Sequence, residues 1–190
     1  MNIIICPGMH ERELTESFIS GCLNLNSDSS TTNKSVNILV YPQQGVLTIS
    51  PLHILQFLHN CLGDKLESPV IFISFSAGVV GAMLSAHSWQ LLGGKVTAFI
   101  AIDGWGVPLW GDFPIHRMSH DYFTHWSSSL LGSGKHNFYA QPAVEHLSIW
   151  RSPQTIQGFA VNPTEEFYPK SDRITAAEFI HLLLRQYESK

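Results

Sequence analysis

The residues that most constrain this chain are 69–82, Pro-Val-Ile-Phe-Ile-Ser-Phe-Ser-Ala-Gly-Val-Val-Gly-Ala. The apolar, β-branched run from Val70 to Ile73 reads as a buried strand, and a helix-compatible apolar segment follows from Ala77 to about Leu92. A strand that gives way to a helix this abruptly leaves the two backbones almost touching. Small side chains are therefore required at Ser74 and Gly78, two positions either side of Ser76, whereas Phe75 can point away. The helix N-terminus brings free N–H groups and a positive dipole end beside the Ser76 hydroxyl.

The same alternation runs through the chain. Asn2–Cys6 and Asn37–Tyr41 are short apolar runs ending at Pro7 and Pro42, and Val96–Ile102 is another; all read as buried strands. Lys135–Ala140 is a further candidate. Between them, Leu14, Phe18 and Cys22 share one helical face. Leu55, Leu58 and Leu62 share another, on a helix that Ser50 caps, Pro51 opens and Gly63 ends. The third helix stops at Gly93-Gly94, and Gln141–Arg151 begins as a loop and becomes a short helix. Thr175-Ala-Ala-Glu178 is a capping box, with Ile174 placed to staple onto Phe179; Phe179, Leu182, Leu183 and Gln186 then follow one side. Ser27–Lys34 is a polar loop.

Strands alternating with helices predict right-handed βαβ crossovers, hence a compact three-layer α/β/α domain with a mostly parallel sheet of about five or six strands. One domain spanning 1–190 suits the length and the 44% hydrophobic content. Residues 104–135, with Trp105, Trp110, Trp126, His116, His120 and His125, show no clean period and are expected to form an insertion over the strand ends. Ligands of parallel sheets gather beyond the carboxyl ends of the strands. That points to Pro7–His10, Tyr41–Gly45, Ser76 and Asp103.

Composition excludes several functions. The net charge is −4 and no basic run occurs, so a nucleic-acid footprint is missing. No stretch approaches the roughly 18 apolar residues of a transmembrane helix. The N-terminus lacks the basic region of a signal peptide. Cys6, Cys22 and Cys61 are widely spaced and odd in number, which favours buried free thiols and a reducing compartment, with the cytoplasm as the default.

The order strand, Pro-Gly loop, helix, strand, helix, strand–Ser-x-Ser-x-Gly–helix, strand resembles the small α/β-hydrolases, closely over residues 1–103 and loosely beyond. Ser74 stands where that superfamily's Gly-x-Ser-x-Gly motif has its first glycine. The resemblance implies that Ser76 is a nucleophile on an elbow turn. It further implies that the Ala77 and Met9 N–H groups form an oxyanion hole, with Gly8 permitting the loop's turn. The superfamily order of serine, acid, histidine, with the base on a loop after the last strand, gives His146 as the base. His125 and His120 remain alternatives. His53, His59 and His181 belong to amphipathic helices, and His87 lies too far along the helix after the elbow. Asp103, at the end of Val96–Ile102, is the candidate acid, with Asp121 as its rival if His125 is the base. Trp105, Trp110, Trp126 and His10 are candidates for contacting substrate, the tryptophans through an apolar pocket.

The function implied is hydrolysis of a small-molecule carboxylic ester or thioester, through an acyl-enzyme on Ser76, with an apolar acyl group among the candidate substrates. No cofactor and no resident metal are expected. Two other classes stay open: a hydrolase-fold binding protein without activity, and a metal-dependent hydrolase using His116, His120, Asp121 and His125.

Overall fold

The computed structural model describes residues 1–23, 36–42, 45–63, 65–161 and 173–188. The polar loop read at Ser27–Lys34 and positions 43–44 of the Tyr41–Gly45 segment lie outside these. The elements are β1 (Asn2–Cys6), α1 (Arg12–Cys22), β2 (Asn37–Val40), α2 (Pro51–Leu62), β3 (Val70–Phe75), α3 (Gly78–Leu91), β4 (Val96–Ile102), β5 (Ile115–Ser119), α4 (Tyr122–Ser129), β6 (His136–Ala140), α5 (His146–Arg151), β7 (Gln157–Val161), β8 (Ile174–Thr175) and α6 (Ala176–Glu188). A 3-10 turn at Gly45–Ile49 precedes α2.

The fold class is α/β. Eight strands form one sheet in the order β2-β1-β3-β4-β5-β6-β7-β8. The first six are parallel, and β7 and β8 pair antiparallel. The sheet is therefore mixed and larger than the five or six mostly parallel strands expected. The physical reason lies in two places. The antiparallel pair at the edge is short and partly exposed, and its apolar stretch is only the three residues Phe159–Val161 of β7. The other missed strand, β5, lies inside 104–135, so this stretch contributes a sheet strand and α4 and is not merely a layer over the strand ends. β5 reads Ile-His-Arg-Met-Ser, yet Arg117 is buried. Its guanidinium donates to the carbonyls of Gly132, Val107 and Leu131, which lets a charged residue occupy a central strand.

Alternating strand residues face opposite sides. Ile3, Ile5, Ile71, Ile73, Ile100 and Ile102 pack with Phe18, Trp150, Phe179 and Leu183 from α1, α5 and α6. Ile4, Phe72 and Phe99 pack with Ile54, Leu58, Val79, Met83 and Trp89 from α2 and α3. Near-continuous apolar runs in β1, β3 and β4 follow from burial on both faces. The capping box of α6 forms as expected: the Glu178 carboxylate accepts from Thr175 N–H at 2.7 Å, and Thr175 Oγ1 accepts from Glu178 N–H at 3.1 Å. Pro51 opens α2, but the Ser50 hydroxyl pairs with His53 Nδ1 at 2.8 Å in place of a cap bond. Cys6 and Cys22 are buried free thiols; Cys61 is free but exposed, unlike the expectation.

Candidate active site

Parallel pairing sets the carboxyl ends of β3, β4 and β5 side by side. Phe75 is in register with Ile102, and Ile102 with Met118. The ladder continues past the strands, with Ser76 N–H donating to Ile102 O at 2.9 Å and Asp103 N–H to Met118 O at 2.8 Å. Ser76, Asp103 and His120 thus leave one sheet edge next to one another. Ser76 and Asp103 both have φ of 51°, the left-handed conformation that non-glycine residues adopt at a cost of about 1–3 kcal/mol. At Ser76 this backbone turns the chain from β3 into α3.

The close approach demanded by the sequence is present. A Cβ on Gly78 would stand 2.3 Å from Pro7 O and 2.5 Å from Cys6 O, and one on Gly8 would stand 3.0 Å from Ser76 Cβ. Ser74 is accommodated at this close approach because its hydroxyl, fully buried, donates to Ile100 O at 3.4 Å.

His146, the first residue of α5, reaches this edge from beyond β6, and Val144 N–H donates to His120 O at 3.0 Å to hold the intervening loop. His146 Nε2 lies 3.0 Å from Ser76 Oγ, and its Nδ1 lies 2.9 Å from Asp103 Oδ2. In the tautomer whose Nδ1–H donates to the Asp103 carboxylate, Nε2 is left to accept from the serine hydroxyl. The ring is also held by stacking. Phe75 lies 4.8 Å from it with planes 20° apart, Trp150 lies 4.9 Å from Phe75, and Phe18 lies 3.8 Å from Trp150. Phe75 therefore points away from the turn and under the imidazole.

Asp103, its side chain 1% exposed, takes a second histidine. His120 donates its backbone N–H to Oδ1 at 2.9 Å, and its Nδ1 stands 2.8 Å from Oδ2. The hydrogen bond to Asp103 raises the His120 pKa against the opposing effect of burial. His120 was an alternative base, but its ring faces the acid and not Ser76. His125 is elsewhere, stacked 5.2 Å from Tyr139, and burial with Arg117 nearby lowers its pKa. Asp121 caps α4, accepting from Thr124 N–H at 2.6 Å.

A pocket of about 400 Å³ opens over Ser76, Ala77, Asp103, His120 and His146, with Val80, Trp105 and Val107 on its apolar side. Trp105 is the one candidate tryptophan in this lining; its indole donates to Ser127 Oγ at 3.0 Å. Trp110 instead stacks on His87, and Trp126 lies beside Phe123 on the exposed side of α4. His10 sits between Phe75 and Trp150, 5.6 and 6.0 Å from their centroids, outside the lining. Met9 is exposed.

The proposed zinc set does not assemble. His116 lies in a strand, stacked on His136 and bonded to Tyr187 Oη at 2.7 Å, so the four-residue spacing is not a helical face. Among the described residues, the group with metal-ligating potential is Asp103, His120 and His146. What sequence reasoning missed is the place of His120 as a second partner of Asp103, and the stacking of Phe75 and Trp150 beneath His146. Recognising Ile115–Ser119 as a strand would have exposed His120, since it is the next residue at the same edge.

The arrangement belongs to an α/β protein whose polar groups converge at the carboxyl ends of the parallel strands of a mixed sheet. Compared with protein-family models and with curated proteins, the chain matches none. No helix among the described residues is long and apolar enough to cross a membrane.

Proposed function

We propose that this chain is a serine hydrolase of the α/β-hydrolase type, cleaving a small carboxylic ester or thioester. The observation that carries the reading is the line Ser76 Oγ, His146, Asp103, with contacts of 3.0 and 2.9 Å and the serine on a strained strand-to-helix turn. The run of six parallel strands and the Gly8 and Gly78 contacts support the superfamily resemblance.

In the reaction, Ser76 Oγ attacks the substrate carbonyl while His146 Nε2 takes its proton. Asp103 holds the imidazole and stabilises its cationic form. The tetrahedral oxyanion takes hydrogen bonds from the N–H groups of Ala77 and Met9. His146 returns the proton to the departing alcohol or thiol, leaving an acyl group on Ser76. Water, deprotonated by His146, then attacks the acyl carbonyl, and the protonated serine leaves. Val80, Val107 and Trp105 suit an apolar acyl chain. The free thiols fit a reducing compartment, the cytoplasm.

A fluorophosphonate probe tests this. Wild-type protein should be labelled covalently at Ser76, and Ser76→Ala should not. Folded wild-type protein that resists labelling would favour the binding-protein reading. Labelling that resists chelators would speak against a metal-dependent hydrolase.

A further inference from the structure

Two histidines converge on one carboxylate oxygen, and the proposed reaction uses only one of them as a base. His120 Nδ1 stands 2.8 Å and His146 Nδ1 2.9 Å from Asp103 Oδ2. One ligand atom from each of these residues lies within 4.8 Å of the others. We infer that Asp103, His120 and His146 form an inhibitory site for a divalent transition-metal ion, Zn²⁺ above all, which silences Ser76 by taking its base. The inhibition rests on the serine-hydrolase reading; the metal site itself does not.

The donor set is two imidazole nitrogens and one carboxylate. That set suits Zn²⁺ or Co²⁺, whereas Mg²⁺ and Ca²⁺ prefer all-oxygen shells. Tetrahedral bonds of about 2.0–2.2 Å place ligand atoms roughly 3.3 Å apart. Each nitrogen therefore needs to recede from Oδ2 by about 0.5 Å. His146 has room for this, its side chain being 42% exposed. Both rings line the pocket, which provides an entry path.

The outer partners also fit. Binding through Nδ1 requires the lone pair there, so each metal-bound ring is neutral and carries its one proton on Nε2. His120 Nε2–H then faces Asp121 Oδ2, 3.6 Å away, the carboxylate partner that metal-bound histidines commonly have. His146 Nε2–H faces Ser76 Oγ at 3.0 Å. That same tautomer is what silences the serine. The nitrogen that accepted the hydroxyl proton has become a donor, and no base remains.

The test titrates the tag-free full chain with Co²⁺, reading its visible absorption, and then displaces Co²⁺ with Zn²⁺. Fluorophosphonate labelling of Ser76 is timed at each metal concentration. The expected result is one Co²⁺ per chain, displaced by Zn²⁺, with labelling falling in proportion to occupancy. His120→Asn should weaken binding about 100-fold or more. Asp121→Asn, whose amide oxygen can keep the α4 cap, should weaken it about tenfold. Circular dichroism checks that both variants fold; should His120→Asn fail to, the Asp121→Asn shift alone decides. Absence of binding up to about 1 mM, or affinity unchanged in either folded variant, would overturn the site. Metal binding with no labelling even in chelator would instead sink the hydrolase reading and leave the site standing. Full labelling at saturating Zn²⁺ would overturn the inhibition.

Discussion

Gly78→Ala puts both the turn and the reactive geometry under load. The new Cβ would stand 2.3 Å from Pro7 O and 2.5 Å from Cys6 O. An unstrained carbon–oxygen contact is about 3.3 Å, so α3 and the end of β1 must part by about 1 Å. The obstructing atoms are backbone, at the end of a strand paired on both sides, and cannot swing away. Overpacking of this kind costs about 1–3 kcal/mol, here toward the upper end. Alanine's better helix propensity returns up to about 1 kcal/mol. A net loss of about 2 kcal/mol is expected, or roughly 4–8 °C in Tm for a chain of this size. The same movement displaces the Pro7–Met9 loop from Ser76, and a 1 Å misplacement costs about 100-fold in rate. Thermal unfolding and fluorophosphonate labelling below the transition measure the two effects. Gly63→Ala is the control: φ is 57°, nothing lies within 4 Å, and only stability should fall. A Gly78→Ala protein as stable and as reactive as wild type would refute the close approach and the account of the turn built on it.

Other expectations follow from the same contacts. Asp103→Asn should lower the labelling rate by about 10⁴-fold, because an amide cannot hold the Nδ1–H tautomer; a loss below tenfold would remove Asp103 from the reaction. His116 is pushed down to about 3, by burial first and by His136 next. The unfolded state takes up its proton near pH 6.5 while the folded state does not. Its contribution is therefore intact above pH 6.5 and lost as pH falls toward 3, at about 1.4 kcal/mol per unit at most. Urea midpoints between pH 7 and 5 should fall less steeply in His116→Gln, and equal slopes would count against this. Trp105→Ala should raise KM for longer acyl esters and leave acetyl esters little changed, whereas Trp126→Ala should alter neither; identical effects would mean Trp105 is not a pocket wall.

The elements legible in the sequence are those whose chemistry is local. β1, β3 and β4 announce themselves as apolar runs because both faces are buried, and α6 carries its capping box in four residues. The Ser76 turn is legible because steric demand forces small residues at fixed offsets. β5 was hidden because His116 and Arg117 are satisfied by partners distant in sequence, Tyr187 and the carbonyls of 107, 131 and 132. α4 was hidden because Tyr122, Phe123 and Trp126 are exposed and blur its period. At the site, Ser76 could be read from its neighbours. Its pairing with His146 across 70 residues depends on the β6-to-α5 loop, and no local pattern encodes that loop's path.

Intact-protein mass spectrometry during turnover of p-nitrophenyl esters tests the central claim most directly. A transient acyl adduct should appear, map to Ser76, decay as product forms, and be absent from Ser76→Ala. Ester turnover with no adduct, or with the acyl group on another residue and Ser76→Ala unimpaired, would contradict the account.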